Sequence, residues 1–157
     1  FFGEMLLEKY KQRQFGIINN SRQLADKLIE RGFNVVTGGT DNHLILVNAA
    51  DFKEGMTGAI AQKALEQCGI VVDSINLPVD EGKGTISGIR LGTAIVTKEG
   101  MTGEEMNTIA QMIEQVLRQV RVADKGRYSI DKHLEEQMLL RVGQLCDMFC
   151  SDNGLLL

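Results

Sequence analysis

One arginine stands where its neighbours leave room for chemistry. Arg90 lies in Ser87-Gly88-Ile89-Arg90-Leu91-Gly92-Thr93, among small and apolar residues, with no acidic residue close by in sequence. Side chains of an extended strand alternate between faces, so Ile89 and Leu91 point to a core and Arg90 points the other way. Gly88 and Gly92 flank it with no side chain to obstruct a ligand. A guanidinium is a planar fork of donors that matches a carboxylate in bidentate fashion. The pattern therefore reads as a carboxylate site for a small molecule. The same residues also admit a plainer reading, an arginine paired with an internal Asp or Glu, or simply solvated. Ser87 and Thr93 bracket the arginine and are the residues placed to orient it.

Other reactive side chains form no site by spacing. Cys68, Cys146 and Cys150 are odd in number and lack the spacing of a disulfide framework, which predicts reduced thiols and a cytoplasmic setting. Cys146 and Cys150 are one helical turn apart, but neither His43 nor His133 is placed locally to complete a zinc site, so no metal is expected. His43 reads as part of a scaffold turn. The loop Asp80-Glu81-Gly82-Lys83-Gly84 contains Gly and Lys without the phosphate-loop pattern. A net charge of −4, 5% aromatic residues and no tryptophan argue against a nucleic-acid partner. No signal peptide or run of membrane-spanning length is visible. At 157 residues and 43% hydrophobic content the sequence reads as one soluble domain with a real core. It begins at Phe1 rather than Met, and is expected to be part of a longer protein.

The elements that must hold these residues follow from periodicity. Residues 4–31 read as helical, with Ile17, Leu24 and Leu28 on one stripe and Ile18, Ala25 and Ile29 beside it. Gly16 and Asn19-Asn20 weaken its middle, leaving one bent helix or two. Gly32 stands at the glycine cap. Residues 33–37 and 43–48 read as a β-hairpin across a turn-rich connection. A helix over 57–68 ends at Gly69, followed by an extended run over 70–77 and strands over 86–91 and 94–97. Glu99-Gly100-Met101-Thr102-Gly103 repeats Glu54-Gly55-Met56-Thr57-Gly58 residue for residue. Each copy opens a helix with a threonine N-cap, and Thr102 with Glu105 makes a capping box. Because the segments after the two copies differ, this reads as one start signal used twice, not a duplication. The helix over 103–121 repeats apolar residues at three- and four-residue steps, and its methionines are read as core filling. A loop over 124–128 precedes a last helix over 129–149, with Leu134, Met138, Val142, Leu145 and Phe149 inward, and residues 151–157 are expected to fray. The order predicts an α+β fold, a small and mainly antiparallel sheet covered by helices.

Two long motifs carry a family resemblance. The stretch from Ser87 to Thr93 resembles a signature near the C-terminal end of serine hydroxymethyltransferases. So does Arg31-Gly32-Phe33-Asn34-Val35-Val36-Thr37-Gly38-Gly39-Thr40-Asp41-Asn42-His43-Leu44, in the family's order and spacing. The match continues through Gly55-Met56-Thr57-Gly58, Gly69-Ile70-Val71-Val72 and Pro78, and covers roughly residues 8–120. The resemblance implies the small C-terminal domain of a fold-type I pyridoxal-phosphate enzyme. It implies that Arg90 binds the carboxylate of an amino-acid substrate held on that cofactor. The lysine, aspartate, stacking histidine and phosphate cradle that the cofactor needs lie in the family's large domain, upstream. The chain alone is therefore expected neither to bind pyridoxal phosphate tightly nor to turn over. Its implied partners are that large domain and the amino-acid substrate, in an enzyme that forms homo-oligomers.

Departures from the family pattern bear on tetrahydrofolate, the family's one-carbon acceptor. Family members usually carry Asn-Lys-Asn where this chain has Asp73-Ser74-Ile75, and the second asparagine contacts the pterin ring. Ile75 has no hydrogen-bonding side chain. The loop from Pro78 to Arg90 is about one residue shorter than in common members and lacks their prolines. Three functional readings result. One is serine/glycine interconversion with one-carbon transfer to tetrahydrofolate. The second is a folate-independent aldolase or transaldolase acting on β-hydroxy amino acids. The third is a stand-alone binding or regulatory module.

Overall fold

A computed structural model describes residues 3, 8–82, 84–123 and 126–149. Lys83, Cys150, the expected helix start at residues 4–7, part of the loop over 124–128 and the tail at 151–157 lie outside the described residues.

The first helix, α1, runs unbroken over Glu8–Glu30, so Gly16 and Asn19-Asn20 do not divide it into two helices. Gly16 and Asn20 sit where α1 meets a neighbour, whereas Asn19 is exposed. A Cβ at Gly16 would lie 3.2 Å from Thr97 Cγ2, and Asn20 Nδ2 donates to Thr97 Oγ1 at 2.9 Å and to the Met101 carbonyl at 2.8 Å. Tertiary hydrogen bonds offset the helix propensity lost there. Leu24, Ala25 and Leu28 are buried as their stripe predicts, whereas Ile29 is exposed. Gly32 closes the helix, and the N–H of Phe33 donates back to the Leu28 carbonyl at 3.1 Å.

Strand β1 (Asn34–Val35) pairs antiparallel with β2 (Leu44–Asn48), which confirms the hairpin. A short 3₁₀ turn, Val36–Gly38, leads into the connection. Helix α2 (Gly58–Gln67) starts at Thr57, whose Oγ1 accepts from Ile60 N at 3.2 Å. Strands β3 (Asp73–Ile75) and β4 (Gly88–Gly92) complete a four-stranded antiparallel sheet in the order β1-β2-β4-β3. The fold is α+β with a small antiparallel sheet, as the order of elements predicts.

The sequence reading of 94–97 as a strand is corrected: Ala94–Lys98 is a short helix, α3. Its β-branched residues favour a strand in isolation, but the sheet ends at Gly92 and Thr93 turns the chain onto α1. Thr97 N and Thr97 Oγ1 both donate to the Thr93 carbonyl, at 3.0 and 2.7 Å. Context overrides propensity here. Helix α4 (Gly103–Gln119) buries Met106, Met112, Ile113, Val116 and Leu117. The chain between the last two helices is more than a loop. Strands β5 (Arg121–Ala123) and β6 (Arg127–Ser129) form a separate antiparallel ribbon. Helix α5 (Lys132–Phe149) accordingly starts three residues later than its periodicity predicts. Asp131 sets the start: its Oδ1 accepts from His133 N at 3.0 Å and Leu134 N at 3.3 Å.

One hydrophobic cluster runs from Leu24 of α1 to Leu145 of α5 and takes in the inward faces of β1, β2 and β4. Phe33 stacks on Phe52 at 4.0 Å between ring centroids, with the Arg118 guanidinium over Phe52 at 5.1 Å. Cys68 is buried in this core; burial first, and Glu135 second, push its thiol above the ordinary range, which makes it a poor nucleophile. Among the described residues no three His, Cys, Asp or Glu side chains gather as a metal site, and no helix is long and apolar enough to cross a membrane.

Candidate carboxylate site

Alternation in β4 acts as its sequence predicts. Ile89 and Leu91 are buried, opposite Val47 and Ile45 of β2, and Arg90 projects from the other face. Its direct cross-strand neighbours are Leu46 on β2 and Asp73 on β3. Residues directly opposite in an antiparallel pair share a face. Arg90 and Asp73 therefore meet: Nη2 donates to Asp73 Oδ2 at 2.6 Å. The two side chains keep 41% and 62% of their exposure. An ion pair this open contributes about 0–1 kcal/mol. Among the described residues this is Arg90's one hydrogen bond, so most of its donors remain available. The plainer reading of the arginine is therefore met by Asp73, while the guanidinium also stays accessible.

The surrounding residues show what holds the site. A Cβ at Gly88 would lie 2.6 Å from Leu77 Cγ and 2.8 Å from the Ile75 carbonyl oxygen. Gly88 is bare because Leu77 and the Ile75 end of β3 pack on it, which corrects the view that it clears a path for a ligand. Gly92 has only ordinary contacts, the nearest being Leu44 Cδ2 at 3.6 Å, and stays open. On the other side α2 touches β4 backbone to backbone. Gly58 N donates to the Ile86 carbonyl at 2.8 Å, and a Cβ at Gly58 would lie 2.1 Å from the Gly88 carbonyl oxygen.

Ser87 and Thr93 are not brought to the guanidinium by any hydrogen bond. Thr93 is fully buried, and its hydroxyl donates to the Ile17 carbonyl at 2.9 Å, tying the end of β4 to α1. Ser87 forms a corner: its N–H donates to Asp80 Oδ2 at 2.9 Å, and its carbonyl accepts from Ala49 N and Ala50 N. Its hydroxyl is buried without a hydrogen-bond partner among the described residues. His43 contributes its carbonyl, which accepts from Thr93 N at 3.3 Å. Ile75 is half-buried opposite Gly88.

Two residues matter that sequence reading missed. Asp73 was hidden because an antiparallel register joins residues 17 apart. Asp80 is buried, and its Oδ2 accepts from both Leu77 N and Ser87 N at 2.9 Å. It closes the loop that carries the chain from β3 into β4. The Pro-x-Asp spacing of Pro78 and Asp80 was its visible signal, a common turn chemistry.

Two surface hollows exist elsewhere, one beside Gln23, Lys27 and Asn107 and one beside Arg22, Thr37 and Asp41; neither includes Arg90 or Asp73. The residues paired around Arg90, namely Leu44, Leu46, Asp73, Ile75, Gly88 and Gly92, offer no lysine and no stacking ring. Lys53 donates instead to the Arg118 and Val120 carbonyls at the far end of α4, and Lys27 to Glu30. By themselves these residues do not fit pyridoxal phosphate.

The family model for serine hydroxymethyltransferase matches residues 1–113. The chain belongs to the serine hydroxymethyltransferase family. The match takes in α1, the whole four-stranded sheet, and the part of α4 up to residue 113, so Arg90, Asp73 and Asp80 all lie within it. The β5–β6 ribbon and α5 lie beyond it. Serine hydroxymethyltransferases are typically pyridoxal-phosphate-dependent transferases, which places this chain in a family of one-carbon chemistry.

Proposed function

We propose that this chain is the small C-terminal domain of a serine hydroxymethyltransferase-like enzyme, and that Arg90 binds the carboxylate of its amino-acid substrate. The observation that supports this reading is the half-exposed guanidinium, with most of its donors unused, on a rigidly registered central strand. A fixed strand holds a planar fork in one orientation, and a carboxylate bound by two parallel N–H···O bonds is held in turn. The reading includes a cytoplasmic, homo-oligomeric enzyme whose large domain supplies the cofactor lysine and the rest of the cofactor site. Serine and glycine interconversion with transfer of one carbon to tetrahydrofolate is the activity proposed.

Ile75 favours a second reading. Half-buried opposite Gly88, it offers no side-chain donor or acceptor to a pterin, which suits a folate-independent aldolase or transaldolase acting on a β-hydroxy amino acid. The test is to express the complete reading frame that contains this chain, with pyridoxal phosphate. A visible chromophore and glycine formed from serine only when tetrahydrofolate is added support the first reading. Cleavage of a β-hydroxy amino acid without tetrahydrofolate selects the second. A reading frame that encodes no cofactor domain, with no chromophore, overturns both in favour of a stand-alone binding module.

A further inference from the structure

We propose that Asp73 is a built-in competitor for the Arg90 fork and thereby a determinant of substrate choice. The inference rests on the reading of Arg90 as a carboxylate clamp, and adds to it the cost of entry. Asp73 stands directly opposite Arg90 in the β3–β4 register, and its carboxylate already holds Nη2 at 2.6 Å. A substrate carboxylate therefore meets a neutral pair instead of a bare cation. It must turn Asp73 aside or share the guanidinium with a like charge a few ångströms away, which disfavours it.

The Asp73 backbone has little freedom to withdraw. Its strand is pinned by the packing of Leu77 and Ile75 against Gly88, and by Ser74 N donating to Gln62 Oε1 at 3.0 Å. Asp80 fastens the loop beyond. Only the Asp73 side chain can swing, and its exposure leaves it free to do so. Once displaced, it is an acceptor beside the bound substrate. Ligands carrying a hydroxyl or ammonium group near the carboxylate can donate a hydrogen bond to it, whereas a second carboxylate meets repulsion. The chemical class selected is thus a monocarboxylate with a nearby donor, and dicarboxylates are rejected.

The experiment titrates the chain with acetate and with malonate at constant ionic strength, following the Arg90 Nε–Hε resonance by NMR. Far-UV circular dichroism checks that each variant keeps the fold. Asp73→Asn, which keeps the shape and removes the charge, is expected to bind acetate roughly two- to fivefold more tightly than the unaltered chain. Malonate is expected to gain more than acetate from the same change. Equal dissociation constants for the unaltered chain and Asp73→Asn, with Arg90 still responding, overturn the competition and leave Arg90 as a clamp. An Arg90 resonance that responds to neither anion in either protein overturns the clamp and the competition together.

Discussion

At the scale of single residues, the site is defined by what is missing from its glycines. Gly58 and Gly103 hold the same place in the repeated pentapeptide, and both are crowded, but by different things. A Cβ at Gly58 meets the Gly88 backbone, whereas a Cβ at Gly103 meets the end of the Gln23 side chain, with Oε1 at 1.8 Å. Backbone in a registered strand cannot move aside; a glutamine can rotate. Gly58→Ala is therefore expected to cost about 2–3 kcal/mol in urea unfolding. Gly103→Ala should stay within about 0.5 kcal/mol of the parent, since alanine's helix propensity offsets the small rearrangement. Equal losses in the two variants would refute this account. The sequence revealed the outward direction of Arg90, because alternation in a strand is local. It concealed Asp73, because the partner across a sheet depends on loop closure by Asp80, which no periodicity encodes.

At the scale of elements, the pentapeptide is a structural unit as well as a repeated string. Gly55 and Gly100 both take positive φ, 74° and 96°, Met56 and Met101 are both buried, and Thr57 and Thr102 both stand at N-caps. A left-handed turn, an apolar anchor and a cap recur in one order, which is why both helix starts were legible. The second copy adds Glu105, whose Oε2 accepts from Thr102 N at 2.6 Å and Thr102 Oγ1 at 2.9 Å. The bond from the Thr102 backbone, chiefly, holds the Glu105 carboxyl below the usual range. A carboxyl whose folded value is lowered contributes stability above its unfolded value, about 4.3, and loses it as pH falls through the folded one. Glu105→Gln is expected to be less stable than the parent by under about 1 kcal/mol at neutral pH, because the group is open to solvent. That deficit should shrink toward zero in acid; a deficit unchanged between neutral pH and pH about 3 in paired urea titrations would argue against the charge. Where the elements were misread, the cause was length. Five residues in α3 and three in each strand of the ribbon are too few for a period to emerge.

At the scale of the whole molecule, helices and sheet share one aliphatic and methionine-rich core, and Arg90 projects from the sheet face turned away from it. The α+β class was legible because the long helices carry clear stripes and the strands lie between them. The pairing at the site was not legible, since Arg90 and Asp73 are joined by a strand register and by no motif. In the complete enzyme, Arg90→Ala is expected to raise KM for serine at least tenfold, since a charged hydrogen-bonded pair is lost, on the order of 2 kcal/mol or more. An unchanged KM would remove Arg90 from the substrate's contacts. The joint between Gly58 and Gly88 has a longer reach than stability. It is made of main-chain atoms alone, so the distance from helix to strand does not depend on which side chains fill the interior. Leucines, methionines and valines can be exchanged over generations while the guanidinium keeps its reference point. The placement of Arg90 against α2 thus rests on contact between main chains and not on the fill of the core.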